Sequence, residues 1–379
     1  MSIEASSPRR RLLVTGGAGF IGANFVQHCL TVDPEASVVV LDALTYAGNL
    51  ANLAGVLDKP SVKFIHGDIR DRVLVESLIR ENDIDTIVHF AAESHVDRSI
   101  VSPEKFIDTN VLGTYTLLDA ARVIWPDGQS ATSALRPFRF HHVSTDEVFG
   151  SLSPDASPVA EASAYGPNSP YAASKAGADH LVRAYHRTYG LPVTISHCSN
   201  NYGPYQFPEK LLPLMLVNAL EGKPLPLYGD GANVRDWLHV SDHCRGIMLV
   251  LERGEVGAAY NICAGNQWRN IDLVRLLCEL LDELFLAQPC LRERFPSCPA
   301  ARGVSTSELI TFVEDRPGHD RRYALNGRKI ARELGFKPVE TLQSGLRNTI
   351  SWYLEEEQWW RDVMDGSYQE WERECYSAV

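Results

Sequence analysis

Thr15-Gly16-Gly17-Ala18-Gly19-Phe20-Ile21-Gly22 is the stretch on which the reading of this chain turns. It follows the short apolar run 12–14. It leads into residues 24–30, where Phe25 with Cys29 and Val26 with Leu30 fall at i and i+4, one helical turn apart. A strand, a glycine turn and a helix in that order present the helix's first N–H groups, and the positive end of its dipole, to phosphate. Gly16 permits the tight turn, Gly19 the close approach of a pyrophosphate, and Gly22 the packing of helix on strand. Asp42 lies twenty residues past Gly22, at the end of the apolar run 38–41. A carboxylate there accepts hydrogen bonds from a ribose and repels a 2′-phosphate, so the expected cofactor is NAD rather than NADP.

Outward from this turn, β-rich runs at 12–15, 38–41, 62–65, 86–90, 138–144 and 193–198 alternate with amphipathic stretches such as 109–125, which carries Leu112, Tyr115, Leu118 and Ala121. That rhythm predicts an α/β fold, a Rossmann-type doubly wound parallel sheet. Past residue 200 the texture changes to segments punctuated by Pro and Gly, at 201–208 and 224–231, which suit binding loops. The expected division is a dinucleotide-binding domain over 1–200, with return segments near 238–263. A smaller, discontinuous α/β substrate-binding lobe follows over 201–237 and 264–345, and a helical tail over 346–379. Spacing predicts a helix over 271–285, and residues 287–303, with three prolines, read as an exposed loop. The tail from Trp352 holds four of the seven tryptophans, expected to pin a terminal helix to the body.

The 379 residues exceed the usual size of one hydrophobic core, and 45% hydrophobic residues with 22% charged exclude global disorder. Thirty-six Lys and Arg against 48 Asp and Glu give a net charge of -12, the wrong sign for a protein that holds nucleic acid. Eight cysteines, at 29, 198, 244, 263, 278, 290, 298 and 375, show neither a CxxC pair nor a Cys/His cluster, so neither a metal site nor a disulfide framework is expected. The apolar run after the basic amino terminus is too short for a signal peptide or a membrane span, which points to a cytoplasmic protein with reduced thiols.

Two further motifs carry chemistry. Tyr171 and Lys175 stand four apart on the helical pattern 171–187, on one face. An ammonium beside a phenol favours the phenolate, which then takes a proton from a sugar hydroxyl as hydride leaves the same carbon. Thr145, Asp146 and Glu147 follow the run 138–143 and so sit at a strand's carboxyl end, where open α/β sheets bind ligands. Two adjacent carboxylates offer an acid and a base for expelling water.

With the glycine turn, these motifs resemble the extended short-chain dehydrogenase/reductase superfamily. The strings AAESHVDRSI (91–100), STDEVFG (144–150), SPYAASKA (169–176), CSNNYGPYQFPEKLLPL (198–214), LYGDGANVRDWLHVSDH (227–243) and FVEDRPGHDRRYAL (312–325) narrow the resemblance to its dTDP-glucose 4,6-dehydratase family, over residues 11–368. The resemblance implies conversion of dTDP-glucose to dTDP-4-keto-6-deoxyglucose on bound NAD, as part of deoxysugar (dTDP-rhamnose-type) biosynthesis. Tyr171, with Lys175 and Thr145, deprotonates the 4-hydroxyl during oxidation at carbon 4. Glu147 then removes the carbon 5 proton, Asp146 protonates the leaving 6-hydroxyl, and hydride returns to carbon 6.

It further implies that Phe20, Ile21, Asp42, Ala43, Leu44, Thr45, Asp68, Ile69, Ala91, Ala92, Glu93, Thr109 and Asn201 line NAD, with Tyr171 and Lys175 touching it as well. Ser94, Thr145, Asn200, Lys210, Leu211, Pro226, Tyr228, Arg235, Asn270, Asp315, Arg316 and His319 would hold the nucleotide sugar, Arg235 and Arg316 as pyrophosphate partners. Read alone, Arg235 beside Asp236 is equally an internal ion pair. The chain departs from the family's usual pattern at Phe149, Ala43, His197 and Cys263-Ala264, none of them a catalytic group. A homodimer through the helices near 109–125 and 171–189 is also implied. The same chemistry on a UDP-, CDP- or GDP-hexose stays open, as do a 4-epimerase, which has no use for Asp146 and Glu147, and a non-catalytic NAD-binding regulator.

Overall fold

The computed structural model describes residues 9–125 and 137–364. Trp371, Cys375 and the end of the expected tail lie outside the described residues. Twelve strands are present among them: β1 (Arg11–Thr15), β2 (Ser37–Asp42), β3 (Val62–His66), β4 (Thr86–His89), β5 (Arg139–Thr145), β6 (Val193–Cys198), β7 (Asn200–Tyr202), β8 (Leu225–Tyr228), β9 (Val234–His239), β10 (Ala259–Ile262), β11 (Gln267–Arg269) and β12 (Ile310–Val313).

Seven of these form one sheet in the order β10-β6-β5-β4-β1-β2-β3, parallel throughout. The chain reverses direction of growth between β1 and β4, and such a switch point opens a crevice at the strands' carboxyl ends. Both faces of the sheet are covered. Leu12, Val14, Val38 and Val40 pack with Phe25 and Val26 of the helix Phe20–Val32 on one side. Leu13, Val39 and Leu41 pack with Leu117, Leu118 and Val182 on the other. Each such side chain, fully buried, contributes roughly 1.5–3 kcal/mol. The unbroken apolar runs of β1 and β2 are therefore what a doubly covered parallel strand requires.

A second cluster gathers Tyr202, Leu212, Leu216, Leu225, Trp237, Leu273, Leu277 and Leu281 with Leu346, Ile350, Tyr353 and Trp360. Helices Leu342–Glu355 and Glu357–Met364 thus complete that core, while β10 and the helix Val240–Arg253 return to the main sheet. Trp359 Nε1 donates to Asn52 Oδ1 at 2.8 Å, and Asn52 Nδ2 donates to the Ala18 carbonyl at 2.8 Å, tying the chain's last described helix to the glycine turn. None of the described helices is long and apolar enough to cross a membrane.

Two expectations are corrected. Residues 287–303 are not an exposed loop: the short helix Cys290–Arg294 and a turn at Pro299–Arg302 bury Leu291, Phe295 and Cys298 in the second core. The i, i+4 pair Leu291 and Phe295 supplies the apolar stripe among the prolines and arginines. The helix expected over 109–125 is also not uniform. Residues Ile107–Gly113 adopt a wider π-helical turn before the α-helix Thr114–Ile124. Asn110 lies within that turn and spends its side chain on groups outside the helix, as described below. Such turns recur at functional sites.

Candidate active site

The crevice at the switch point is a cleft of about 1240 Å³. Its floor is the glycine turn. Gly16 has φ +68°, and a Cβ there would come within 2.6 Å of the Ala91 nitrogen; one on Gly22 would come within 2.2 Å of the Gly16 oxygen. The turn is thus closed to any side chain at these two positions, which brings backbone to the cleft's edge. No side chain caps the amino end of Phe20–Val32, and its first turn holds no acid, as a phosphate site at a helix terminus needs. Asp42 is buried at the tip of β2. Its Oδ2 accepts from Ala18 N at 2.9 Å and its Oδ1 from Leu44 N at 2.8 Å, which braces the turn and leaves lone pairs for a ribose.

Every residue expected to line NAD borders this cleft except Leu44: Gly16, Gly19, Phe20, Ile21, Gly22, Asp42, Ala43, Thr45, Asp68, Ile69, Ala91, Ala92, Glu93, Thr109, Tyr171, Lys175 and Asn201. Leu44 instead serves through its backbone N–H and packs against the core with a positive φ of 49°. Arg70 grips Asp68 at 2.6 Å and pulls its carboxyl below the usual range. The cradle therefore fits a dinucleotide in shape, donors and charge.

At the cleft's inner end β5 delivers Thr145, Asp146 and Glu147, and the helix Pro170–Tyr189 delivers Tyr171 and Lys175. That helix starts where it must. Ser169 Oγ accepts from Ala172 N at 3.1 Å, Pro170 occupies the first position, and Gly190 ends the helix in the left-handed conformation. Asn110 couples the two walls: it accepts from Glu93 N and donates to the Glu93 carbonyl and to Ser174 Oγ at 2.8 Å.

The electrostatics separate the two carboxyls. Asp146 is buried, its Oδ2 has no partner among the described residues, and burial followed by the Glu147 charge pushes its pKa well above the usual carboxyl value. Burial also raises Glu147, but Arg316, Arg235 and Lys210 pull the other way. Both carboxyls are thus raised, Asp146 further than Glu147, and Glu147 is the one that three cations steady as a carboxylate. Burial and then the Glu147 charge hold the Tyr171 phenol well above 10, with Thr145 drawing it down. Here the structure differs from the simple expectation about Lys175. Burial lowers that ammonium to about 8, and Nζ donates to the Val143 carbonyl at 2.9 Å.

Of the sugar-nucleotide candidates, Ser94, Thr145, Asn200 and Lys210 line the cleft, and Lys210 Nζ donates to the Ser94 carbonyl at 3.1 Å. Leu211, Pro226, Tyr228, Arg235, Asn270, Asp315, Arg316 and His319 stand outside the cleft's lining. Arg235 forms no pair with Asp236; it stacks on Tyr323 at 4.2 Å and donates to the Val234 and Asp320 carbonyls, both at 2.8 Å. Arg316 meets Asp97 at 2.7 Å, and His319 meets Asp315 at 2.6 Å. Asn110 and Asp97 escaped the sequence reading. Each sits inside or beside a quoted motif, but its partners are remote in the chain. Glu209, buried at the cleft wall between Arg98 and Lys210 and raised to about 7 by burial, was also missed.

A family model described as GDP-mannose 4,6-dehydratase matches residues 13–349. Full-length relatives are more specific: the chain is 51% identical to a dTDP-glucose 4,6-dehydratase of Neisseria meningitidis serogroup B over 360 residues, 95% of this chain and 98% of that one. The chain belongs to the dTDP-glucose 4,6-dehydratase family. Dehydratase 1 of Escherichia coli K12, another member, is 49% identical over 97% of this chain and 99% of its own. The crystal structure of the Streptomyces venezuelae dTDP-glucose 4,6-dehydratase, which contains NAD and dTDP, superposes with a TM-score of 0.81 at 49% identity, covering 93% and 99% of the two chains. A UDP-glucose 4-epimerase of Thermotoga maritima shares the fold at 25% identity and a TM-score of 0.75, covering 91% of this chain and 99% of that one. The 4,6-dehydratase family is thus marked off from its fold relatives by sequence along the whole chain.

Proposed function

We propose that this protein converts dTDP-glucose to dTDP-4-keto-6-deoxyglucose and water, with NAD held throughout the cycle. The carrying observation is the pair Asp146 and Glu147, with pKa values driven up by burial and set apart by their neighbours, in one cleft with Tyr171. Tyr171 takes the 4-hydroxyl proton, with Thr145 lowering its pKa and Lys175 as the cation behind it. NAD, when bound across the glycine turn and the residues lining the cleft, supplies the hydride acceptor for carbon 4 and the hydride donor for carbon 6. The 4-ketone acidifies carbon 5. Glu147 removes that proton and Asp146, neutral through burial, gives its own to the departing 6-hydroxyl, which leaves as water; Glu147 then returns its proton to carbon 5, completing the 6-deoxy product. Ser94, Asn200 and Lys210 position the sugar nucleotide from the cleft side, and the second lobe supplies the remaining contacts through Leu211, Pro226, Tyr228, Arg235, Asn270, Asp315, Arg316 and His319.

The first 200 residues with the returning segments near 238–263 form the NAD domain in this reading, and the later segments the substrate lobe. Two chains pair through the helices bearing Leu112, Tyr115, Val123 and Tyr189, whose side chains are exposed in the single chain. A cytoplasmic setting suits the described cysteines, all free thiols.

Pure protein offered dTDP-, UDP- and CDP-glucose and GDP-mannose in parallel is expected to give the 4-keto product from the dTDP sugar first and to carry NAD through purification. Turnover of another nucleotide sugar in preference would reassign the substrate. A monomeric mass at working concentration would remove the dimer.

A further inference from the structure

One turn beyond Lys175 on the same helix, Asp179 is fully buried, and the reaction scheme gives it no task. Its Oδ1 lies 3.2 Å from His142 Nε2 on β5, and its Oδ2 lies 3.2 Å from His197 Nε2 on β6. The Tyr165 hydroxyl donates to the same Oδ2 at 2.7 Å and is itself met by Arg183 Nη2 at 3.1 Å. A buried carboxyl surrounded from two strands and a loop is built to stay charged, because donors on this scale are what offset its desolvation. Lys175, at i-4, lies one turn earlier on the same face of that helix. Its ammonium is buried too, and the Val143 carbonyl is its one hydrogen-bond partner among the described residues.

We propose that Asp179 is a positioning residue: its carboxylate, held by His197 and Tyr165 with His142 alongside, keeps Lys175 charged and so sets the pH range over which Tyr171 exchanges its proton with substrate. This rests on the roles given above to Tyr171 and Lys175. Burial pushes the Asp179 carboxyl up, yet His142 and His197 outweigh it and bring it well below the ordinary value. For Lys175, burial is the largest influence and lowers it, and Asp179 leads the opposing ones. The other groups facing this pair do not replace Asp179. His89 on β4 and His142 are driven below their usual pKa first by burial, and the Cys198 thiol on β6 is pushed up to about 12 by burial, so all three are neutral at working pH. Arg183 points its charge at Tyr165.

The test follows product formation by the NAD-bound, full-length enzyme from pH 6 to 9. In Asp179→Asn the alkaline limb of kcat moves to lower pH by about one unit, a loss of roughly fivefold at pH 8 that approaches tenfold at higher pH, with KM unchanged. Asp179→Glu keeps the limb where the wild type has it. Lys175→Met and the double variant Lys175→Met, Asp179→Asn turn over equally slowly, since the carboxylate acts through the ammonium. A limb that stays in place in Asp179→Asn, whatever the kcat, overturns the proposal. If Asp179→Asn alone does not fold, the double variant, which removes both members of the pair, folds as Lys175→Met does; failure of the double variant where Lys175→Met folds makes Asp179 purely structural and also overturns it. A Lys175→Met enzyme as fast as the wild type would refute the role of Lys175 itself, a result distinct from an unmoved limb.

Discussion

Asp146 and Glu147 are adjacent in the chain and differ by one methylene, yet their surroundings act on them unequally: burial raises both, and only around Glu147 do three cations pull back. The unpartnered Oδ2 of Asp146 is where a proton can wait, and the cations near Glu147 keep that group available as a base. Glu147→Gln is therefore expected to lower kcat by on the order of 10²–10⁴-fold, to abolish solvent deuterium uptake at carbon 5, and to leave KM near its wild-type value. Deuterium uptake at the wild-type rate in this variant would give the base's role to another residue. Asp146→Asn preserves shape and removes the proton, so it slows loss of the 6-hydroxyl by a similar factor while carbon 5 exchange persists.

Among the elements, the glycine turn is closed to side chains by its own backbone. A methyl group on Gly22 meets the Gly16 carbonyl, which is backbone and cannot rotate away. Gly22→Ala is expected to destabilise the protein by about 1–3 kcal/mol in denaturant unfolding and to strip NAD during purification. Full NAD occupancy in that variant would contradict the placement of the dinucleotide. This turn, β1 to β6 and the Tyr171 helix were legible in the sequence because their signals are local: an apolar run, a glycine spacing, an i, i+4 pair. The segment 287–303 was not, since its two large apolar residues, Leu291 and Phe295, are outnumbered by prolines and arginines that mimic a loop. Nor was the π-helical turn at Asn110, whose side chain answers to Glu93 and Ser174 rather than to its own helix. The settings of Arg235 and Arg316 also depend on remote partners. Asp97 is 219 residues from Arg316, and no spacing rule spans that distance.

At the scale of the whole molecule, buried imidazoles tie stability to pH. His243 is fully buried, bonded to Asn201 Oδ1 at 2.9 Å, and burial takes its pKa down to about 3. The unfolded chain binds a proton near pH 6.5 and the folded one does not. The stabilisation is thus complete above 6.5 and is lost as pH falls toward 3, by about 1.4 kcal/mol per pH unit. His243→Gln should unfold with a correspondingly shallower pH dependence between about pH 6 and 4, read from denaturant midpoints; parallel slopes would show that His243 is protonated in the folded state. The bond from Trp359 to Asn52, and from Asn52 to the glycine turn, bears on how the protein is made. Asn52 and Trp359 stand 307 residues apart in the chain, so the turn is made well before its brace. During synthesis the turn therefore rests on Asp42 and Asn52 until the helix Glu357–Met364 has been made and Trp359 can lock Asn52 in place.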